Sequence, residues 1–76
     1  MKAIRTEYLG ATNTKGSRIK ADDYETNSIT IPYPYELSGE DVFMSAAVAL
    51  CDKMKWDNEL LGGGTDTGYV FVFKKQ

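Results

Sequence analysis

The residues whose types could carry chemistry fall into separate clusters, and each can be judged by what its chemistry would need around it. Gly62-Gly63-Gly64, continuing to Gly68, is the densest glycine run, and a phosphate cradle is the first function it suggests. Such a cradle needs a strand before it and a helix after it, whose N-terminal N–H groups hold the anion, usually with a Lys nearby. Here the run leads into Tyr69-Val70-Phe71-Val72-Phe73, which reads as a strand, and it contains no Lys. The glycines are therefore assigned to a hairpin loop, where glycine permits positive φ. Asp22, Asp23 and Glu25 could offer oxygen ligands to a hard cation. Their spacing lacks the longer acidic ladder, central Gly and closing Glu of a calcium loop, so they read as a solvated turn and no metal site is expected. Cys51 has no His to activate it, because the chain contains none, and it falls on an apolar helical stripe as a small core residue.

Two further groups suggest contact rather than catalysis. Arg18 and Lys20 share the outward face of one strand, Arg5 projects from its neighbour, and Lys15 lies in the connecting loop. A nucleic-acid strand can lie on such a face when aromatics are interleaved to stack on bases, but Tyr24 is the one aromatic nearby. The other reading is a sheet face kept soluble and guarded against edge pairing by its cations. Met44 and Val48 form an i, i+4 apolar pair on a helix side otherwise made of Asp41, Ser45, Asp52 and Lys55. They are either a docking pair rimmed by acids or side chains covered by a second layer. Tyr33, Tyr35 and Trp56 flank the helix ends, where they extend that surface or seal the ends of a small core.

The elements that must position these groups follow from periodicity. Lys2–Leu9 alternates with period two, with Ile4, Thr6 and Tyr8 on one side, and reads as a strand. After the polar loop Gly10–Gly16, alternation resumes over Ser17–Asp22, with Ile19 and Ala21 on one face. A turn at Asp22–Asn27 leads to a third strand, Ser28–Tyr33, which Pro32 ends or places at an edge. The Pro32-Tyr33-Pro34-Tyr35 run is an extended connector. Ser38 as N-cap, Asp41 as a capping-box acid, and Glu40 and Asp41 in the first turn predict a helix from about Gly39 to Lys55. Its core stripe is Phe43, Ala47, Leu50, Cys51 and Met54, widened by Ala46. Glu59–Leu61 then folds back through the glycine loop as the hairpin partner of the apolar Tyr69–Phe73 strand, which is expected to be central. The order is β-β-β-α-β-β: one α+β domain over residues 1–76, with a two-layer, mainly antiparallel sheet of about five strands and one helix on one face.

Composition bounds what such a domain could do. With 76 residues, a small domain buries only roughly 60% of the surface its unfolded chain exposes, so the apolar side chains are needed for the core. Having no His removes the commonest general base and metal ligand, and one Cys forms neither an internal disulfide nor a four-thiolate zinc site. No catalysis and no cofactor are expected. A net charge of −2 argues against a generally electropositive nucleic-acid binder, while 42% hydrophobic residues indicate a folded chain. No apolar run approaches a membrane span, the amino-terminal residues lack the apolar region of a signal peptide, and the single Cys fits a reducing, cytoplasmic location.

The stretches Gly16-Ser17-Arg18-Ile19-Lys20-Ala21, Ile29-Thr30-Ile31-Pro32-Tyr33, Ala46-Ala47-Val48-Ala49-Leu50-Cys51-Asp52-Lys53-Met54 and Gly62-Gly63-Gly64 with Gly68–Phe73 resemble a group of short phage and mobile-element proteins of proteobacteria. The resemblance implies a context: small acidic proteins of that origin are often inhibitors of host defence systems, anti-CRISPR proteins among them, and bind a large bacterial complex such as a CRISPR effector. It transfers no catalytic residue. The expected function is accordingly a non-catalytic protein-binding inhibitor using an acidic and aromatic surface: Asp22, Asp23, Tyr24, Glu25, Tyr33, Tyr35, Glu40, Asp41, Met44 and Val48. The alternative is a small nucleic-acid-binding or regulatory protein using Arg5, Lys15, Arg18 and Lys20. An exposed sheet face also leaves room for a homodimer.

Overall fold

The computed structural model describes residues 3–14, 16–57, 59–66 and 68–74. The alternating segments form strands β1 (Ala3–Leu9), β2 (Arg18–Asp22) and β3 (Ser28–Pro32), followed by helix α1 (Glu40–Met54) and strands β4 (Leu60–Gly64) and β5 (Gly68–Phe73). They make one five-stranded sheet in the order β3-β2-β1-β5-β4, every neighbouring pair antiparallel. This is the α+β, β-β-β-α-β-β arrangement that the periodicity predicts. Lys2, Lys15, Asn58 and Thr67, which the sequence places in the first strand and in loops, lie outside the described residues.

Register explains the core. Thr6 stands opposite Ala21 and Tyr69, Ile4 opposite Phe71, and Ile19 opposite Ile31, so their side chains share the face that α1 covers. Val42, Ala46, Ala47, Leu50 and Cys51 of α1 are buried against Ile4, Ile19, Ala21, Leu60 and Phe71. Burying each larger side chain here contributes about 1.5–3 kcal/mol. The small Ala46 and Ala47 let the helix approach the sheet closely. The helix lies over β1, β2, β3 and β5, with its densest packing on β2, and leaves β4 largely uncovered. Thr6, though polar, is buried without loss: its Oγ1 donates to the Tyr69 carbonyl at 2.8 Å and accepts from the Tyr69 N–H at 3.3 Å.

Four expectations are corrected. Gly62, Gly63 and Gly64 are not loop: they pair with Phe71, Val70 and Tyr69 as strand β4, and none has positive φ. The connection to β5 begins only after Gly64, where the Thr65 N–H donates to the Gly68 carbonyl at 2.7 Å. Gly62 and Gly68 are required by close approach instead. A Cβ on Gly62 would run into the Phe71 ring and the Glu40 carboxylate, and one on Gly68 into the Thr6 carbonyl. Second, Ser38 does not cap the helix and there is no capping box; Gly39 holds the N-cap at φ 62°, ψ −137°, a conformation that suits a residue without Cβ. Third, the buried stripe includes Val42, while Phe43 is half-buried, its ring 5.0 Å from that of Tyr69. Fourth, β5 is interior but second from the edge; β1 is the middle strand, because both β2 and β5 pair with it. Pro32 does end an edge strand, where its missing N–H breaks no ladder bond.

Candidate functional site

The acidic turn after β2 is structural. Asp22 Oδ2 accepts from Arg5 Nη2 at 3.1 Å and Nε at 3.3 Å, and its Oδ1 accepts the Tyr24 N–H at 3.0 Å. Asp23 Oδ1 accepts from the Glu25 and Asn27 N–H groups at 2.9 and 3.2 Å, and its Oδ2 from Asn27 Nδ2 at 2.9 Å. Both residues are buried. Solvated carboxylates were expected here, and the difference arises because the turn uses their oxygens to satisfy its own backbone donors. The Asn27 side chain and then the backbone N–H groups hold the Asp23 carboxyl below the usual carboxylate range, against the opposing effect of burial. Hydrogen bonding to Asp22 and then its charge push the Arg5 guanidinium above its ordinary value. Glu25 is exposed. Tyr24 is left-handed at φ 67° and lays its ring over Arg5, 4.9 Å from guanidinium carbon to ring centroid.

The basic face is compensated by an ion pair at one position, Arg5. Arg5, Lys20 and Arg18 do share the open face of the sheet, as the alternation implies, but Arg5 is paired with Asp22 and Lys20 stands opposite Glu7. Arg18 donates from Nε to its neighbour's carbonyl, Gly16 O, at 3.3 Å. Lys15 falls outside the described residues. On the helix, Met44 and Val48 are not an exposed pair: both are half-buried, and Met44 packs against the core. The reason is helical geometry, since Met44 lies seven residues before the buried Cys51 and so in the same row on the flank of the stripe. Burial first, and then the charges of Asp52 and Asp57, push the Cys51 thiol up, away from the nucleophilic thiolate. Glu40 and Asp41 are exposed in the first turn of α1.

What the structure does assemble is an aromatic surface. Tyr33 lies edge-on to Tyr8, centroids 5.9 Å apart, and tilts against Tyr35 at 4.9 Å. The Tyr8 hydroxyl and Ser17 Oγ share a hydrogen bond at 2.9 Å, and the Tyr33 N–H donates to the Ser17 carbonyl at 3.1 Å, so Ser17 ties the row to the end of β2. Tyr33 is half-buried, whereas Tyr8 is 49% and Tyr35 77% exposed. Beside them a groove of about 600 Å³ is lined by Gly16, Ser17, Arg18, Thr30, Ile31 and Pro32. Tyr8 is not among the candidate residues read from the sequence, where it only shares one side of the first strand with Ile4 and Thr6. The signal available was its position at the strand end, beyond the reach of the helix.

The molecule is thus defined as a small α+β protein, with one helix on a five-stranded antiparallel sheet and an exposed tyrosine row at one end. Comparison with protein-family models, with curated proteins and with solved structures gives no match for this chain. Among the described residues no helix is long and apolar enough to cross a membrane.

Proposed function

We propose that this protein is a non-catalytic binding protein that docks on a bacterial protein complex, and that it acts as an inhibitor of a defence complex in the manner of phage-encoded anti-CRISPR proteins. The observation that carries the binding reading is the Tyr8–Tyr33–Tyr35 row, joined by ring contacts and Ser17, with Tyr8 and Tyr35 exposed. Tyrosines offer large contact area at low entropic cost, which is why they serve as interface anchors. The absence of His from the sequence and the buried, proton-retaining Cys51 support a non-catalytic role. Of the acids expected to contribute, Glu25, Glu40 and Asp41 are exposed but stand apart from the tyrosine row, Glu25 in the β2–β3 turn and Glu40 over Gly62 of β4, while Asp22 and Asp23 are buried in their turn. The inhibitor role rests on the resemblance drawn from the sequence. Pairing of Arg5 with Asp22 weighs against the nucleic-acid alternative, which needs cations free to neutralise phosphates.

The test has two arms. The tagged chain captures a specific complex from bacterial lysate, and the Tyr8→Ala/Tyr35→Ala variant, still folded by circular dichroism, loses it; capture indifferent to both substitutions contradicts the tyrosine surface. Expression of the chain in cells whose CRISPR effector targets a plasmid restores transformation, and failure to restore it contradicts the inhibitor role for that effector.

A further inference from the structure

The ladder bonds fix which backbone groups of β4 face outward. The Lys74 N–H donates to the Glu59 carbonyl and the Thr65 N–H to the Gly68 carbonyl, so residues 59, 61, 63 and 65 are the ones that bond to β5. In an antiparallel pair these alternate with residues whose N–H and C=O point the other way. Leu60, Gly62 and Gly64 therefore present their backbone donors and acceptors to the outside of the sheet, along an edge that α1 does not cover. Natural sheets protect such edges with Lys, Pro, bulges or covering elements, and β4, Leu-Leu-Gly-Gly-Gly, has no charged residue and no Pro. No Cβ at Gly62, Gly63 or Gly64 stands in the way of an approaching strand.

The surroundings select the occupant. On the helix side the Glu40 carboxylate lies over Gly62, within 2.6 Å of where a Cβ would be, and Asp66 is exposed just beyond the strand. On the other face Leu61, 57% exposed, stands beside Val72, with Val70 next along. An incoming strand thus meets carboxylate on one face and aliphatic surface on the other. A second copy of this chain fits the backbone, since an antiparallel pairing centred on Gly62 matches Leu60 with Gly64. It would, however, bring the two Glu40 carboxylates together across the axis, like charges that oppose association. We propose that the β4 edge binds an extended segment of a partner protein, with Lys or Arg at alternate positions facing Glu40 and aliphatic residues facing Leu61, which adds to the sheet as a sixth strand. This deepens the protein-binding reading and rests on it, and it uses a surface separate from the tyrosine row.

A short alternating Lys/Val peptide, its Glu/Val counterpart and the full-length chain test the proposal by isothermal calorimetry and sedimentation. The Lys/Val peptide binds at least about tenfold more tightly than the Glu/Val peptide, and Glu40→Gln, an exposed and structurally mild change, weakens the Lys/Val peptide about threefold. Gly64→Pro removes an outward N–H while leaving the Leu61 and Gly63 bonds to β5, and it abolishes binding. Equal affinity for the two peptides, no binding of either, or binding unaffected by both Gly64→Pro and Glu40→Gln overturns the proposal. A dimer in sedimentation that Gly64→Pro converts to monomer assigns the edge to a second copy and overturns it equally. If the edge fails while capture of a complex still depends on Tyr8 and Tyr35, this inference falls and the protein-binding reading stands.

Discussion

The two edges of the sheet end in opposite ways. At β3, Pro32 has no N–H to offer, and Lys53 reaches from the last turn of α1 to donate from Nζ to the Ser28 carbonyl at 2.8 Å. At β4 the outward groups of Leu60, Gly62 and Gly64 meet neither device. The contrast is that a small sheet can blunt one edge with a proline and a lysine from its helix while leaving the other available for pairing. It also separates two uses of glycine: on the β4 side Gly62 and Gly68 are needed because a side chain would collide with Phe71 or Thr6, whereas Gly16, beside β2, has open space around it.

Substitutions can break that comparison, beginning where the effect is greatest. Gly68→Ala drives a Cβ into the Thr6 carbonyl and is expected to cost about 3 kcal/mol in urea denaturation, while Gly16→Ala stays within about 0.5 kcal/mol. Equal costs would remove the distinction between the two glycines. Gly62→Ala is next, at about 1–2 kcal/mol because the Phe71 ring must yield, against little change for Gly63→Ala, whose Cβ meets nothing within 4 Å.

On the β3 side, Asn27→Ala removes the strongest influence holding down the Asp23 carboxyl and is expected to cost about 1 kcal/mol near neutral pH through the one lost hydrogen bond, Asn27 Nδ2 to Asp23 Oδ2. The folded pKa lies below the unfolded value of about 3.9, so the stability Asp23 contributes is complete above that value and is lost as the pH falls through the folded pKa. Asn27→Ala moves the Asp23 pKa upward and makes the loss of stability below about pH 4 shallower, which carboxyl-detected NMR titration and urea midpoints at several pH values would register. An unmoved pKa would mean that the backbone donors alone hold it. The smallest effect is expected for Lys53→Met, less than about 0.5 kcal/mol, since an exposed ammonium-to-carbonyl bond contributes little. A larger loss would show that Lys53 secures the end of α1 as well as guarding the edge.

Much of the fold was legible because its determinants are local. Period-two alternation gave β1, β2 and β3, Pro32 marked the edge, and the apolar row through Ala46, Ala47, Leu50 and Cys51 gave α1 to within a residue at each end. The glycine strand is not legible, because glycine is intrinsically unfavourable in strands and what requires Gly62 there, the Phe71 ring and the Glu40 carboxylate, comes from β5 and α1. Asp22 was misjudged for the same reason: its partner Arg5 is 17 residues away and meets it only through the β1–β2 register. The tyrosine row was half legible. Tyr33 and Tyr35 stood out beside their prolines, but their contact with Tyr8 depends on β3 and β1 flanking the same strand, β2.

Amide hydrogen exchange of the full chain, with and without the Lys/Val peptide, measures the difference between the two edges residue by residue. In the free chain Leu61 and Gly63 are expected to be protected while Leu60, Gly62 and Gly64 exchange rapidly, and the peptide is expected to slow these three without changing Ser28 or Thr30 of β3. Protection appearing at Ser28 and Thr30 instead, or at neither edge, would contradict this difference between the edges.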